Sequence, residues 1–263
     1  MSFNVLMVGD IVGRPGRKIL TEMLPRFRAD YSIHFAVVNA ENAASGKGIT
    51  KSIAEDFLSL GADVLTLGNH VWDNKDILGS LDNERLLRPA NYPPVGVPGH
   101  GVFRCQLPSG VKITVVHLMG RVFMTPIDCP FRTMDKILEE VAPGEIVLVD
   151  FHAEATSEKK ALACYLDGRV SVLCGTHTHV QTADEQILPN GTAFISDIGM
   201  TGPHAGIIGM RSKEILERFL TQMPAKYEVG EGDEKFQALF VQLNEQTGKA
   251  VTVERINFDV QQD

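Results

Sequence analysis

Val5-Leu6-Met7-Val8-Gly9-Asp10 is an apolar run ended by a glycine and an aspartate. An unbroken run of four reads as a strand buried on both faces, as in a parallel sheet. The neighbouring stretches complete the pattern. A helix is expected over residues 14–28, because Ile19, Leu20, Met23, Leu24 and Phe27 recur at helical spacing on one face. A strand over 34–38, a helix over 49–60 and a strand over 63–67 come next. This βαβαβ alternation calls for a mainly parallel sheet covered by helices.

The rest of the chain changes character. Residues 85–102 carry Pro89, Pro93, Pro94 and Pro98 and read as a long connector. Three hairpins come after it: 102–107 with 111–118, 185–188 with 193–195, and 236–243 with 251–257. Between them a helix over 133–141 leads into a strand over 145–149, and 170–174 is a further apolar run. Residues 199–235 interrupt the hairpins with a glycine-rich loop and a helix over 213–222, enough for a small cap. The expected fold is α/β: a four-layer α-β-β-α sandwich of two mixed sheets, with parallel early strands and antiparallel late ones. One domain over 1–263 carries that cap within 199–235.

Composition narrows the classes. At 263 residues, 44% hydrophobic and 22% charged, the chain can bury a full core. A net charge of −8 gives no general attraction for nucleic acid. No apolar run spans a bilayer, and the first residues lack the basic start and apolar core of a signal peptide, so a cytoplasmic protein is expected. Cys105, Cys129, Cys164 and Cys174 form no Cys-x-x-Cys pair; reduced, buried thiols are expected.

The chemistry gathers where strands end. Polar residues at the carboxyl ends of strands in an α/β sheet face the crevice where ligands bind. Here those ends are Gly9-Asp10, Asn39-Ala40-Glu41-Asn42, Gly68-Asn69-His70, Asp150-Phe151-His152-Ala153-Glu154 and Gly175-Thr176-His177-Thr178-His179. His177 and His179, two apart on an extended backbone, are expected to point the same way. Carboxylates, amides and imidazoles without a thiolate suit a hard or borderline metal rather than a structural zinc. Singly, each has a plainer explanation: Asp10 as a helix cap, His70 as a hydrogen-bonded core residue. Glu41 is harder to dismiss, because a buried carboxylate needs a partner.

In order along the chain, Gly9-Asp10, Gly68-Asn69-His70, His152 and His177-x-His179 resemble the motifs of the calcineurin-like metallophosphoesterases. Finer stretches look like their YmdB-like branch: Gly9-Asp10-Ile11-Val12-Gly13-Arg14-Pro15-Gly16, Asn39-Ala40-Glu41-Asn42, the run from Asp150 to Lys159, and the run from Gly175 to Thr182. Val12 stands where the superfamily usually has a histidine, and Glu41 where it usually has aspartate. The resemblance implies two metal ions, iron first with manganese or zinc as alternatives. One would take Asp10, Glu41, His179 and Asn42; the other would take Glu41 as a shared bridge with Asn69, His152 and His177. It implies a phosphodiesterase acting on 2′,3′-cyclic nucleotides such as 2′,3′-cAMP through a metal-bridging hydroxide, with His70 protonating the leaving oxygen. Arg14, Thr201 and His204 are the candidate substrate contacts. The rivals are a phosphomonoesterase or nucleotidase on the same site, and a regulatory, RNA-associated protein whose metal is structural. A small phosphodiester is the expected partner, with RNA ends and further copies of the chain left open and no membrane.

Overall fold

Alternate residues of the first strand, β1 (Ser2–Val8), enter two different cores. Leu6 and Val8 face helices, whereas Val5 and Met7 face a second sheet. The computed structural model describes residues 2–93 and 96–260; Pro94 of the connector and the ends of the 1–263 span lie outside them. After β1 come β2 (Asp10–Ile11), α1 (Gly13–Asp30), β3 (Phe35–Asn39), α2 (Lys51–Ser59), β4 (Val64–Thr66) and β5 (Leu86–Leu87). The middle holds β6 (Val102–Gln106), β7 (Lys112–Met119), α3 (Pro130–Leu138), β8 (Ile146–His152), α4 (Thr156–Leu166) and β9 (Val172–Thr176). The remainder is β10 (Gln186–Ile187), β11 (Ala193–Ile195), β12 (Met200–Pro203), α5 (Ser212–Thr221), β13 (Glu234–Asn244) and β14 (Ala250–Asp259).

One sheet runs β2-β12-β13-β1-β3-β4-β5, with β14 also paired to β13; the other runs β10-β11-β9-β8-β7-β6. Between the sheets lie Val5, Met7, Val37 and Val241 against Val115, Leu148, Val172 and Ile195. Outside the first sheet, Leu20 and Leu24 of α1 and Phe57 of α2 close a second core. Outside the other, Val147 and Val149 of β8 meet Leu162 and Leu166 of α4 and Met134 of α3. The result is the four-layer α-β-β-α sandwich of two mixed sheets. Because β8 is buried on both faces, it is apolar throughout until its polar end.

All three expected hairpins form. The division into parallel early and antiparallel late strands does not hold, since β7, β8, β9 and β11 pair in parallel. The connector contains β5, and α3 starts at Pro130, three residues before the expected helix, because proline suits the first helical position. Within the glycine-rich loop, Met200–Pro203 is strand β12, pairing with β2 and β13. Of the cysteines, only Cys174 is buried, and Cys164 is exposed on α4. No described helix is long and apolar enough to cross a membrane.

Candidate metal centre

The carboxyl ends of β1, β3, β4, β8 and β9 meet at one edge of the sandwich, and the side chains just beyond them converge. Two groups of ligand atoms form there: Glu41, His152 and His177, and Asp10, Glu41 and His179. Glu41 belongs to both.

In the first group, His152 Nε2 lies 3.1 Å from Glu41 Oε2, 2.9 Å from Asn69 Oδ1 and 3.0 Å from His177 Nδ1. Its other nitrogen, Nδ1, is 2.9 Å from the Thr176 hydroxyl, which in turn donates to Asp150 Oδ1 at 2.7 Å. That chain fixes the tautomer and aims Nε2 at the cluster. His177 is oriented similarly: its Nε2 lies 3.2 Å from Glu154, leaving Nδ1 to face inward. In the second group, His179 Nδ1 donates to the Ile208 carbonyl at 3.0 Å, and its Nε2 faces Asp10 Oδ1 at 3.7 Å. The Asn42 amide lies 3.0 Å from Glu41 Oε1 and 3.1 Å from His179 Nε2. Rotating that amide about its last bond would present oxygen in place of nitrogen.

The electrostatics of the cluster suit a bound cation. Asp10 is fully buried and its Oδ1 has no hydrogen-bond partner. Burial, then the neighbouring Glu41, raises its pKa well above the carboxylate range. Burial also opposes charge on Glu41, but His152, His70 and His177 outweigh it and hold that carboxyl low. Burial likewise disfavours charge on His152, yet Glu41 and Asp10 push it up to about 9. Burial and the adjacent His152 push His177 down to about 3, and burial lowers His179. An orphaned acceptor, a shared carboxylate and two neutral imidazoles are a donor set that borderline divalent or trivalent cations suit.

The backbone is built around this cluster. A Cβ on Gly68, whose φ is +45°, would lie 1.8 Å from Glu41 Oε2. Only glycine lets the carboxylate pass. The Gly68 N–H donates to His117 Nε2 at 2.9 Å, so this buried histidine holds the start of the Gly68-Asn69-His70 turn. His177 and His179 do not sit on extended backbone. Their φ angles are +96° and +61°, so a left-handed turn, rather than strand alternation, brings the imidazoles together. Such conformations persist only where surroundings enforce them.

A model described as YmdB-like protein matches residues 6–256. The chain belongs to the YmdB-like family. A Bacillus subtilis relative named 2′,3′-cyclic-nucleotide 2′-phosphodiesterase is 46% identical, the match covering 96% of each chain. A Thermus thermophilus crystal structure, described as a hypothetical protein, superposes with a TM-score of 0.91 at 42% identity, covering 98% of this chain and 99% of that one. A Mycoplasma pneumoniae structure described as a novel phosphatase gives 0.93 at 30% identity, covering 98% and 94%.

In this YmdB-like chain the structure gathers Asp10, Glu41, Asn42, Asn69, His152, His177 and His179. His70 stands beside them, its backbone N–H 3.4 Å from Glu41 Oε2 and its Nδ1 2.8 Å from Asp73. The three expected substrate contacts lie outside the converging ligand atoms. Thr201 is fully buried in β12, and its hydroxyl is hydrogen-bonded to the Gln237 backbone. Arg14 is exposed on the first turn of α1, at a cavity of about 850 Å³ shared with Lys18 and Lys226. His204 is half-buried, with Nδ1 donating to the Gly202 carbonyl.

Sequence reasoning gave no role to Asp150, Lys159 and Asp197. Asp150 takes Thr66 and Asn39 of one sheet and Thr176 of the other, pinning the two together. Lys159 Nζ lies 2.8 Å from Asp197, which also accepts the N–H and hydroxyl of Thr178 and the N–H of Gly199. The signal was present: Lys159 shares its helix face with Leu162, Ala163 and Leu166, so a cation was bound to be buried there.

Proposed function

We propose that this YmdB-like chain hydrolyses 2′,3′-cyclic nucleotides, with a cyclic phosphate at an RNA end as a chemically equivalent substrate. It is a phosphoester hydrolase. The observation that carries the reading is Glu41, whose two oxygens serve adjoining ligand groups. One metal would be held by Asp10, Glu41, Asn42 and His179, and the other by Glu41, Asn69, His152 and His177. Iron is preferred from the family resemblance, with manganese or zinc as alternatives. Such a pair of cations, when bound, would neutralise the phosphodiester and lower the pKa of an attacking water.

The remaining chemistry belongs to the chain. His70 projects from the turn after β4 with Nδ1 fixed on Asp73, which leaves Nε2 to give its proton to the departing ribose oxygen. Asp73 holds the ring in place before and after transfer. Glu154 and the Ile208 carbonyl keep the rings of His177 and His179 from turning.

Turnover of 2′,3′-cAMP, bis-p-nitrophenyl phosphate and p-nitrophenyl phosphate tests the reading. His70→Ala should keep its full metal content by elemental analysis, yet lose roughly 10²- to 10⁴-fold in kcat on 2′,3′-cAMP. Absence of turnover on both diesters by the metal-loaded wild type would sink the proposal.

A further inference from the structure

Phe123 is 90% exposed, the most exposed of the large apolar side chains described. It also sits at φ +61°, a left-handed conformation that a bulky side chain adopts only under constraint. The constraint is visible. Glu158, near the start of α4 and only 8% exposed, accepts the Arg121 N–H at 3.0 and 3.1 Å and the Val122 N–H at 3.3 Å. A buried carboxylate thus grips the two residues before the ring. Strained backbone held by a dedicated buried group marks a segment kept for use rather than stability.

Its position indicates the use. The segment leaves β7, whose last residue Met119 is paired with His152. Gly120 donates to the His152 carbonyl at 2.9 Å, and a Cβ there would lie 2.6 Å from Ala153 Cβ and 2.5 Å from Glu158 Oε2. The loop is therefore rooted directly against the strand end that supplies His152 and Glu154. A solvent-exposed aromatic ring on a loop anchored to that strand end offers a face on which a planar, poorly solvated ring can stack.

We propose that Phe123 is the stacking surface for the substrate's nucleobase, with Glu158 as the positioning residue that presents it. This rests on the cyclic-nucleotide reading above and adds what that reading lacks, a part of the site that recognises the base. A flat aromatic face accepts any base, so the expected preference is for base-bearing over base-free diesters, with weak choice among bases.

The test compares 2′,3′-cAMP with glycerol 1,2-cyclic phosphate, a cyclic diester with no base. In Phe123→Ala the ratio of kcat/KM for the two substrates should fall roughly tenfold, the loss appearing as KM for 2′,3′-cAMP. Phe123→Trp should restore the ratio. Phe123→Gly should give the same fall while raising the melting temperature, because glycine relieves the left-handed strain; this separates loss of stacking from loss of fold. A ratio unchanged in Phe123→Ala overturns the inference and leaves the cyclic-nucleotide reading standing. A wild type that hydrolyses neither diester overturns both.

Discussion

Lys159→Met is the sharpest test of how the two histidines are held. The ammonium and the Asp197 carboxylate are 0% and 1% exposed and 2.8 Å apart. Removing one partner of such a pair typically costs about 3–5 kcal/mol, because the other charge stays buried alone. Here Asp197 keeps three donors, from the Thr178 N–H, the Thr178 hydroxyl and the Gly199 N–H, so the lower end applies, about 3 kcal/mol. For a chain of this size that is a fall of about 6–12 °C in melting temperature. Thermal unfolding followed by circular dichroism, in chelator and again with metal, measures it. Adding Asp197→Asn removes the stranded charge and should recover about 1–2 kcal/mol, although one acceptor is lost. Thr178 lies between His177 and His179, so metal affinity should fall about 10- to 100-fold in the single variant. A Lys159→Met protein within about 1 kcal/mol of wild type, or a double variant less stable than the single, would refute the argument.

Two further outcomes rest on the geometry. Gly68→Ala places a methyl against Glu41 and should lose about 100-fold or more in diesterase kcat/KM, with reduced metal content by elemental analysis. Burial works against the Asp184 carboxylate, but hydrogen bonds from Ser196 and Thr182 outweigh it and hold its pKa below the usual value. A depressed carboxylate stabilises above its unfolded pKa of about 3.9 and stops doing so as pH falls through the folded value. Asp184→Asn should therefore melt lower than wild type at pH 7, and the gap should close below about pH 4.

How much was legible in the sequence depended on which force set each element. Where apolar burial decides, periodicity sufficed: the α1 stripe from Ile19 to Phe27 is buried as read, and β1 splits between two cores. The ligand cluster was legible for a related reason, since carboxylates and imidazoles after buried strands need partners. Elements whose local signals conflict with their final structure were not. Met200–Pro203 contains a glycine and a proline, and becomes a strand only because β2 and β13 flank it. α4 keeps helical spacing at Lys159, Leu162, Ala163 and Leu166, but Glu158 and Lys159, both turned inward, put charge on its buried face and break the apolar stripe. The left-handed turn at His177 and His179 violates a steric preference, and only the tertiary clamp on Thr178 explains it.

β13 pairs with β1 in a register running from Ser2 opposite Asn244 to Val8 opposite Ala238. During synthesis β1 thus waits for a strand far downstream of it. Until β13 emerges, one edge of β1 stays bare, an open template for pairing with other chains. β12, which borders Asp10 through β2, has no route into the sheet except beside β13. Asp10 is therefore walled in by strands made long after it, and the centre closes only once β12 and β13 have joined the sheet.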